Sequence, residues 1–307
     1  MPIPCCEGRH RVPSGNPGIR KKVPCFHLAH RALSGYSLGM KLHTIAGMFA
    51  IVIFNLACGN RPGSKEPGNS VPLDPRLSKV TSALSVLPPE TRLRVEAAIN
   101  TNPAAFLTLL EEAEAESSKA GDLLVLVDKK HSLPADFEPA DLVSLNDYSL
   151  SVSRNDLRLR LAIMEAVLAM NTAAKADGIT LEFSSSYRSY EYQDGLFKRY
   201  TASHGEAEAS RFSARPGTSQ HQLGTAMDFG SIDDTFADTD AGRWLAQNAW
   251  RFGFSMSYPK DMESVTGYVW ESWHFRYITK QGALLEKNYF GGIQQYLLEF
   301  ISAYRQG

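Results

Sequence analysis

The sequence predicts an α+β fold: a small antiparallel sheet with flanking helices, preceded by a helical segment. Three observations predict it. Short strand-like and helical runs do not alternate strictly, which disfavours a wound parallel sheet. Residues 76–118 carry only helical signals. An apolar fraction of 43%, with 10% aromatic residues, in 307 residues supplies chain enough for a real core and excludes wholesale disorder.

Residues 1–58 read as an export segment. Arg9, Arg11, Arg20, Lys21, Lys22, Arg31 and Lys41 face a single acid, Glu7, and the next acid is Glu66. Ile45–Phe54 is unbroken apolar and small residues follow, the layout of a secretory signal. The apolar run is too short to span a bilayer core of ~30 Å. Met40 is itself a normal signal start, so residues 1–39 are read as an over-extended gene start or as disordered. Leu56-Ala57-Cys58-Gly59 resembles a bacterial lipobox, which marks Cys58 for lipidation. Asn55 stands where that motif usually has leucine. A simple signal peptide and an uncleaved short anchor are the alternatives. All three place the rest of the chain outside the cytoplasmic membrane. Residues 59–75, rich in Gly, Pro, Asn and Ser, read as a flexible tether.

Residues 76–120 form the helical segment. Pro88-Pro89-Glu90 and Asn102-Pro103 are helix starts. Phe106, Leu107 and Leu110 make an apolar stripe, and Glu111, Glu112, Glu114 and Glu116 a solvated face.

Residues 121–307 make the compact domain. Asp122–Val127 reads as a strand and 129–153 as a loop. Ser153 with Asp156 resembles a capping box opening a helix whose Leu157, Leu161, Met164 and Leu168 repeat at 4-3-4 spacing, with Gly178 ending it. Strands are expected at 179–185, 224–230, 253–258 and 273–278. Helices are expected at 190–203, at 240–252 and over the last 25 residues. No internal repeat is seen.

Composition narrows the chemistry. A formal net charge of −1, from 32 basic and 33 acidic residues, gives no basic excess for nucleic acid. The four cysteines are Cys5, Cys6, Cys25 and Cys58. Residues 59–307 therefore offer no disulfide, no thiolate nucleophile and no Cys-ligated zinc site.

Two blocks carry the remaining chemistry: Ser219-Gln-His221-Gln-Leu-Gly224-Thr-Ala226-Met-Asp228 and Glu271-Ser-Trp273-His274. Two imidazoles and a carboxylate, His221, Asp228 and His274, suffice for a catalytic zinc, which takes three protein ligands and keeps a position for water. A hydrolase also needs a carboxylate to take that water's proton, and Glu271 is the candidate. Spacing alone is inconclusive. On a regular strand, positions seven or three apart point to opposite faces, so convergence requires a bend near Gly224 and an irregularity at 271–274. A loop histidine and a strand-end aspartate remain the alternatives.

The pattern Ser-x-His-x-x-Gly-x-Ala-x-Asp, followed about 45 residues later by Glu-x-Trp-His, resembles the VanY-type D-alanyl-D-alanine carboxypeptidases, within the zinc peptidase group that includes lysostaphin-like and hedgehog-like folds. Ser186–Gln193, Ala214–Gly217 and Lys129–Val143 resemble further blocks of that family. The resemblance covers roughly 122–280; the helices at 76–118 match nothing in it. It implies that His221, Asp228 and His274 bind Zn2+ on the sheet and that Glu271 is general base and acid. It implies that Arg188 lies beside the scissile carbonyl, that Ser219 and Gln193 help hold the substrate, and that Trp273 lines the pocket. The function so implied is an exported, monomeric zinc D,D-carboxypeptidase that removes the terminal D-alanine of peptidoglycan stem peptides, held to the membrane by a lipid anchor and binding no nucleic acid. An L,D-carboxypeptidase on tetrapeptide stems, a cross-bridge endopeptidase and a non-catalytic cell-wall-binding lipoprotein are the rivals.

Overall fold

The computed structural model describes residues 74–307; residues 1–58, Cys58 among them, and all but the last two residues of the 59–75 tether lie outside the described residues. Three helices come first: α1 (Pro75–Ala83), α2 (Pro89–Thr101) and α3 (Pro103–Lys119). Each starts on a proline, which loses nothing where the first-turn N–H has no intrahelical partner. Asn102 caps α3 through Oδ1, which accepts from the Ala105 N–H at 3.1 Å. Phe106, Leu107, Leu110 and Ala113 form its buried stripe. The acidic run is only half a solvated face. Glu111 and Glu112 are exposed, whereas Glu114 pairs with Arg305 at 2.9 Å and Glu116 accepts from the Tyr277 hydroxyl.

The strand expected at 122–127 does not form. Asp122 sits at φ +61°, so the chain turns instead of entering a ladder. Side chains satisfy the backbone beyond it. The buried Ser117 hydroxyl accepts from the N–H groups of Leu123 (2.9 Å) and Leu124 (3.1 Å), and Arg276 Nη2 donates to the carbonyls of Leu123 (3.0 Å) and Val125 (2.8 Å).

The expected loop 129–153 holds two short strands, β1 (Leu142–Ser144) and β2 (Ser151–Val152). The helix expected from Ser153 starts later, as α4 (Met164–Ala176), behind β3 (Arg158–Arg160). Asp156 is taken by Arg154, whose Nε donates at 2.6 Å, and caps nothing. Leu157 and Leu159 are buried and Leu161 exposed, so the stretch to Leu159 follows the period of two that the 4-3-4 count overlooked. Gly178, at φ +76°, does end α4.

Then come β4 (Glu182–Ser185), α5 (Tyr190–His204), α6 (Glu206–Phe212), β5 (Ala226–Phe229), α7 (Asp240–Asn248), β6 (Phe254–Met256), α8 (Glu263–Thr266), β7 (His274–Tyr277), α9 (Lys280–Tyr289) and α10 (Gln294–Gln306). The five-stranded sheet runs β2-β4-β5-β7-β6, with β2 parallel to β4 and every other pair antiparallel; β1 and β3 pair apart from it. This is the α+β architecture expected.

Two cores hold the fold. One lies between the sheet and α4 and α7, around Phe183, Met227, Phe229, Phe275 and Val167. The other packs α1–α3 against α9 and α10, with Phe106 meeting Tyr289 and Phe300 edge-on at 4.9 and 5.9 Å. The helical segment thus shares its core with the end of the chain.

Glu286 on α9 is buried behind β6, where Ser255 Oγ donates to it at 2.7 Å. Burial pushes its carboxyl up to about 8 from the usual 4.5. The folded state therefore holds a proton between those values that the unfolded state has lost, and stability falls as pH rises from about 4.5 to 8. Glu286→Gln should remove this slope. The variant's gain in stability should be small at pH 5 and grow toward pH 8, where it reaches roughly 1–4 kcal/mol. Thermal unfolding across that range checks it.

Candidate active site

Asp228 on β5 lies directly opposite His274 on β7 in the antiparallel register. Opposed residues share a face, which brings Asp228 Oδ1 to 3.0 Å from His274 Nδ1. His221 reaches the same point from outside the sheet. It sits on a 3-10 turn, Gln220–Leu223, where Ser219 Oγ accepts from the His221 N–H at 3.3 Å. The turn ends at Gly224, φ +67°, where a Cβ would lie 2.9 Å from Arg160 Cγ and 3.0 Å from Leu142 Cδ2. Only glycine fits there, and the reversal delivers the chain into β5. Glu271 likewise precedes its strand, in a turn closed by the His274 N–H donating to the Glu271 carbonyl at 3.3 Å. The spacing objection dissolves because neither His221 nor Glu271 is on a strand.

The Lys129–Val143 block braces this turn. Leu133 N–H donates to the Gly217 carbonyl at 2.8 Å, and Gln222 Nε2 to the carbonyls of Pro134 (3.0 Å) and Phe137 (3.2 Å).

One ligand atom from each of His221, Asp228 and His274 lies within 4.8 Å of the others, and all three residues are buried. His221 Nδ1 donates to the Ser186 carbonyl at 2.7 Å, leaving Nε2 bare; that atom is buried, has no hydrogen-bond partner, and stands 3.3 Å from Asp228 Oδ2. His274 Nε2 faces Gln220 Oε1 at 3.2 Å and its Nδ1 faces Asp228 Oδ1 at 3.0 Å, both of them acceptors. His221 Nε2, His274 Nδ1 and the carboxylate thus converge in a buried space, an arrangement that a cation between them stabilises. The donor set suits zinc and other borderline divalent ions. Burial, then the Arg188 charge, lowers His221 to about 4, so it stays neutral as a ligand must be.

Glu271 has its Oε2 3.7 Å from His274 Nδ1 and is 8% exposed. Burial, reinforced by the Asp228 charge, pushes its carboxyl well above the usual range. Arg188 Nη2 is 3.4 Å from Asp228 Oδ2, and its Nε is buried without a partner. Gln193 stands behind it, 1% exposed: its Oε1 accepts from Arg188 Nη1 at 3.0 Å and its Nε2 donates to the Ala214 carbonyl at 2.7 Å. Both ends of Gln193 are engaged, so it braces Arg188 and does not itself face the void.

Two voids flank the cluster. A small one of 40 Å³ touches His221, His274, Glu271, Arg188 and Ser219. A cleft of 370 Å³ adjoins it, sharing Arg188 and Glu271 and lined further by Tyr192, Trp270 and Trp273. Trp273 also belongs to the sheet core. Gln220, Tyr258 and Tyr268 were missed from sequence. Gln220 hid in plain view between Ser219 and His221. The two tyrosines stand in a stretch without a motif, and only the fold carries them to the small void. Burial keeps both phenols protonated, Tyr268 up to about 12.

The family model VanY, D-alanyl-D-alanine carboxypeptidase, matches residues 156–280. A D-alanyl-D-alanine carboxypeptidase of Enterococcus faecalis is 31% identical over 218 residues, 68% of this chain and 77% of that protein. The YodJ protein of Bacillus subtilis is 37% identical over 169 residues, 53% of this chain, and the match spans 62% of its length. Among solved structures, the LdcB LD-carboxypeptidase is similar with a TM-score of 0.51 at 34% identity, covering 56% of this chain and 87% of that one; its structure concerns peptidoglycan recognition.

Added zinc should stabilise the protein relative to chelator-treated protein by about 2.7 kcal/mol at a hundredfold excess over Kd, and so raise its melting temperature. His221→Ala and Asp228→Asn should abolish the shift. Thermal unfolding with and without zinc is the measurement.

Proposed function

The chain belongs to the VanY family of D-alanyl-D-alanine carboxypeptidases, and on that premise we propose that it is an exported zinc D,D-carboxypeptidase that removes the terminal D-alanine from peptidoglycan stem peptides. The observation that carries this reading is the convergence of His221, Asp228 and His274 on one buried point, with Glu271 and Arg188 beside them. The 370 Å³ cleft offers room for a peptide. Glu271 and Arg188 border that cleft and the small void beside the histidines.

Zinc held by His221 Nε2, Asp228 and His274 Nδ1 would polarise the scissile carbonyl and lower the pKa of a bound water. The chain's own groups do the rest. Glu271 takes a proton from the attacking water as its oxygen bonds to the carbonyl carbon of the penultimate residue. It then returns that proton to the nitrogen as the C–N bond breaks, releasing alanine. Its raised proton affinity suits a group that must hold the proton between the two events. Arg188, fixed by Gln193, presents its unpartnered Nε–H where negative charge develops on the carbonyl oxygen. Ser219 and Tyr268 line the pocket for the leaving residue, and Trp273 lines the cleft. Export and lipidation at Cys58 rest on the sequence of residues 1–58.

A second reading is supported by the likeness to the LdcB LD-carboxypeptidase: the same machinery acting on the L,D bond of a tetrapeptide stem. The two differ only in the chirality accepted on one side of the bond.

Purified protein with zinc should release D-alanine from a pentapeptide stem. Release from the tetrapeptide alone would replace the D,D assignment by the L,D one. Glu271→Ala should lower kcat by at least about 10²-fold while zinc affinity is kept. Equal turnover by wild type and variant would overturn the catalytic reading.

A further inference from the structure

Behind His274 runs a directed chain of buried amides that the reaction does not use. Gln220 Oε1 accepts from His274 Nε2 (3.2 Å) and from Ser257 Oγ (2.7 Å). Gln220 Nε2 donates to Gln294 Oε1 at 3.1 Å, and Gln294 Nε2 to the Ser255 carbonyl at 3.4 Å. Gln220, Ser255, Ser257 and Gln294 are all at most 4% exposed. Gln294 is the first residue of α10, beyond the stretch that matches the family.

The order of donors has one fixed end. A carbonyl only accepts, so the Ser255 oxygen turns the Gln294 amide nitrogen toward itself. That leaves Gln294 Oε1 facing Gln220, which turns the Gln220 nitrogen away from His274 and its oxygen toward it. The Ser257 hydroxyl sets no direction, because it can donate or accept. Without Gln294, the Gln220 amide is free to flip. A flipped amide would present N–H to His274 Nε2 and drive the ring proton to Nδ1, where Asp228 Oδ1 waits at 3.0 Å to accept it. That tautomer is well bonded, and it blocks the lone pair a metal needs.

We infer that Gln294 fixes the polarity of the Gln220 amide and, through it, the tautomer of His274, which makes both glutamines positioning residues that keep Nδ1 open for the metal. The inference rests on the metal reading of the site. Its mechanism is a population shift: the metal-competent tautomer is selected before the ion arrives.

The test reads the tautomer on metal-free protein by nitrogen NMR of the histidine ring, and zinc affinity by competition with a chelator. Wild type should show His274 protonated on Nε2. Gln294→Leu should populate the Nδ1–H form and weaken zinc binding about tenfold. Gln220→Glu keeps an acceptor at His274 that has no wrong end to flip, so zinc affinity should match or exceed wild type. Adding Gln294→Leu to that background should not weaken it. Zinc affinity lowered equally in both backgrounds would overturn the inference, as would an unchanged tautomer in Gln294→Leu. Should Gln294→Leu not fold, the Gln220→Glu variant decides alone: loss of the Nε2–H form or of zinc affinity there overturns it. Because the tautomer is read without metal, wild-type protein carrying its proton on Nδ1 defeats the positioning role whatever zinc does. Wild type that binds no zinc defeats the metal reading.

Discussion

Everything in the catalytic half of this protein answers to one electrostatic constraint. Asp228 is a buried carboxylate, 2% exposed, set opposite His274 on the neighbouring strand and beside His221. An ionised group so placed survives only if cationic character surrounds it. Arg188 supplies part of that at 3.4 Å, and the space between the ring nitrogens calls for the rest. The Ser186 carbonyl and the Gln220 amide then fix where the ring protons sit, and the Gly224 turn fixes how the first histidine arrives. The outer groups are intelligible only as answers to that central problem.

Chemistry was more legible in the sequence than geometry. The absence of cysteine after Cys58 leaves His and carboxylate as the metal-binding currency, and the two motif blocks hold the three residues that cluster. Spacing could not show that His221 and Glu271 lie just outside their strands, because the reversal at Gly224 and the turn at 271–274 are set by tertiary packing. Local patterns misled where long-range partners took over. The apolar run 122–127 reads as a strand, yet its backbone is satisfied by Ser117 and by Arg276, a residue 151 positions beyond Val125. Leu157 fits a helical repeat by count but obeys a strand's alternation. Gln193 and Gln220 show a further limit: sequence places an amide near a site without saying whether it faces the void or braces a neighbour.

The site is also asymmetric, and this links fold to substrate. The 3-10 turn and the loop carrying Tyr258 and Tyr268 close one side down to a small void, while α5 and the sheet edge leave a broad cleft on the other. Trp273, just before β7, packs into the core and also lines the cleft.

The union of α1–α3 with α9 and α10 has a temporal meaning. During synthesis α1–α3 emerge well before the apolar surface that covers Phe106, which arrives with Tyr289 and Phe300 more than 180 residues later. The clamp of Arg276 on Leu123 and Val125 is equally remote in sequence. Such non-local closure delays folding, because loop entropy is lost before the contacts that compensate it form. Until residues 278–301 are made, the buried faces of α1–α3 lack the partners they pack against.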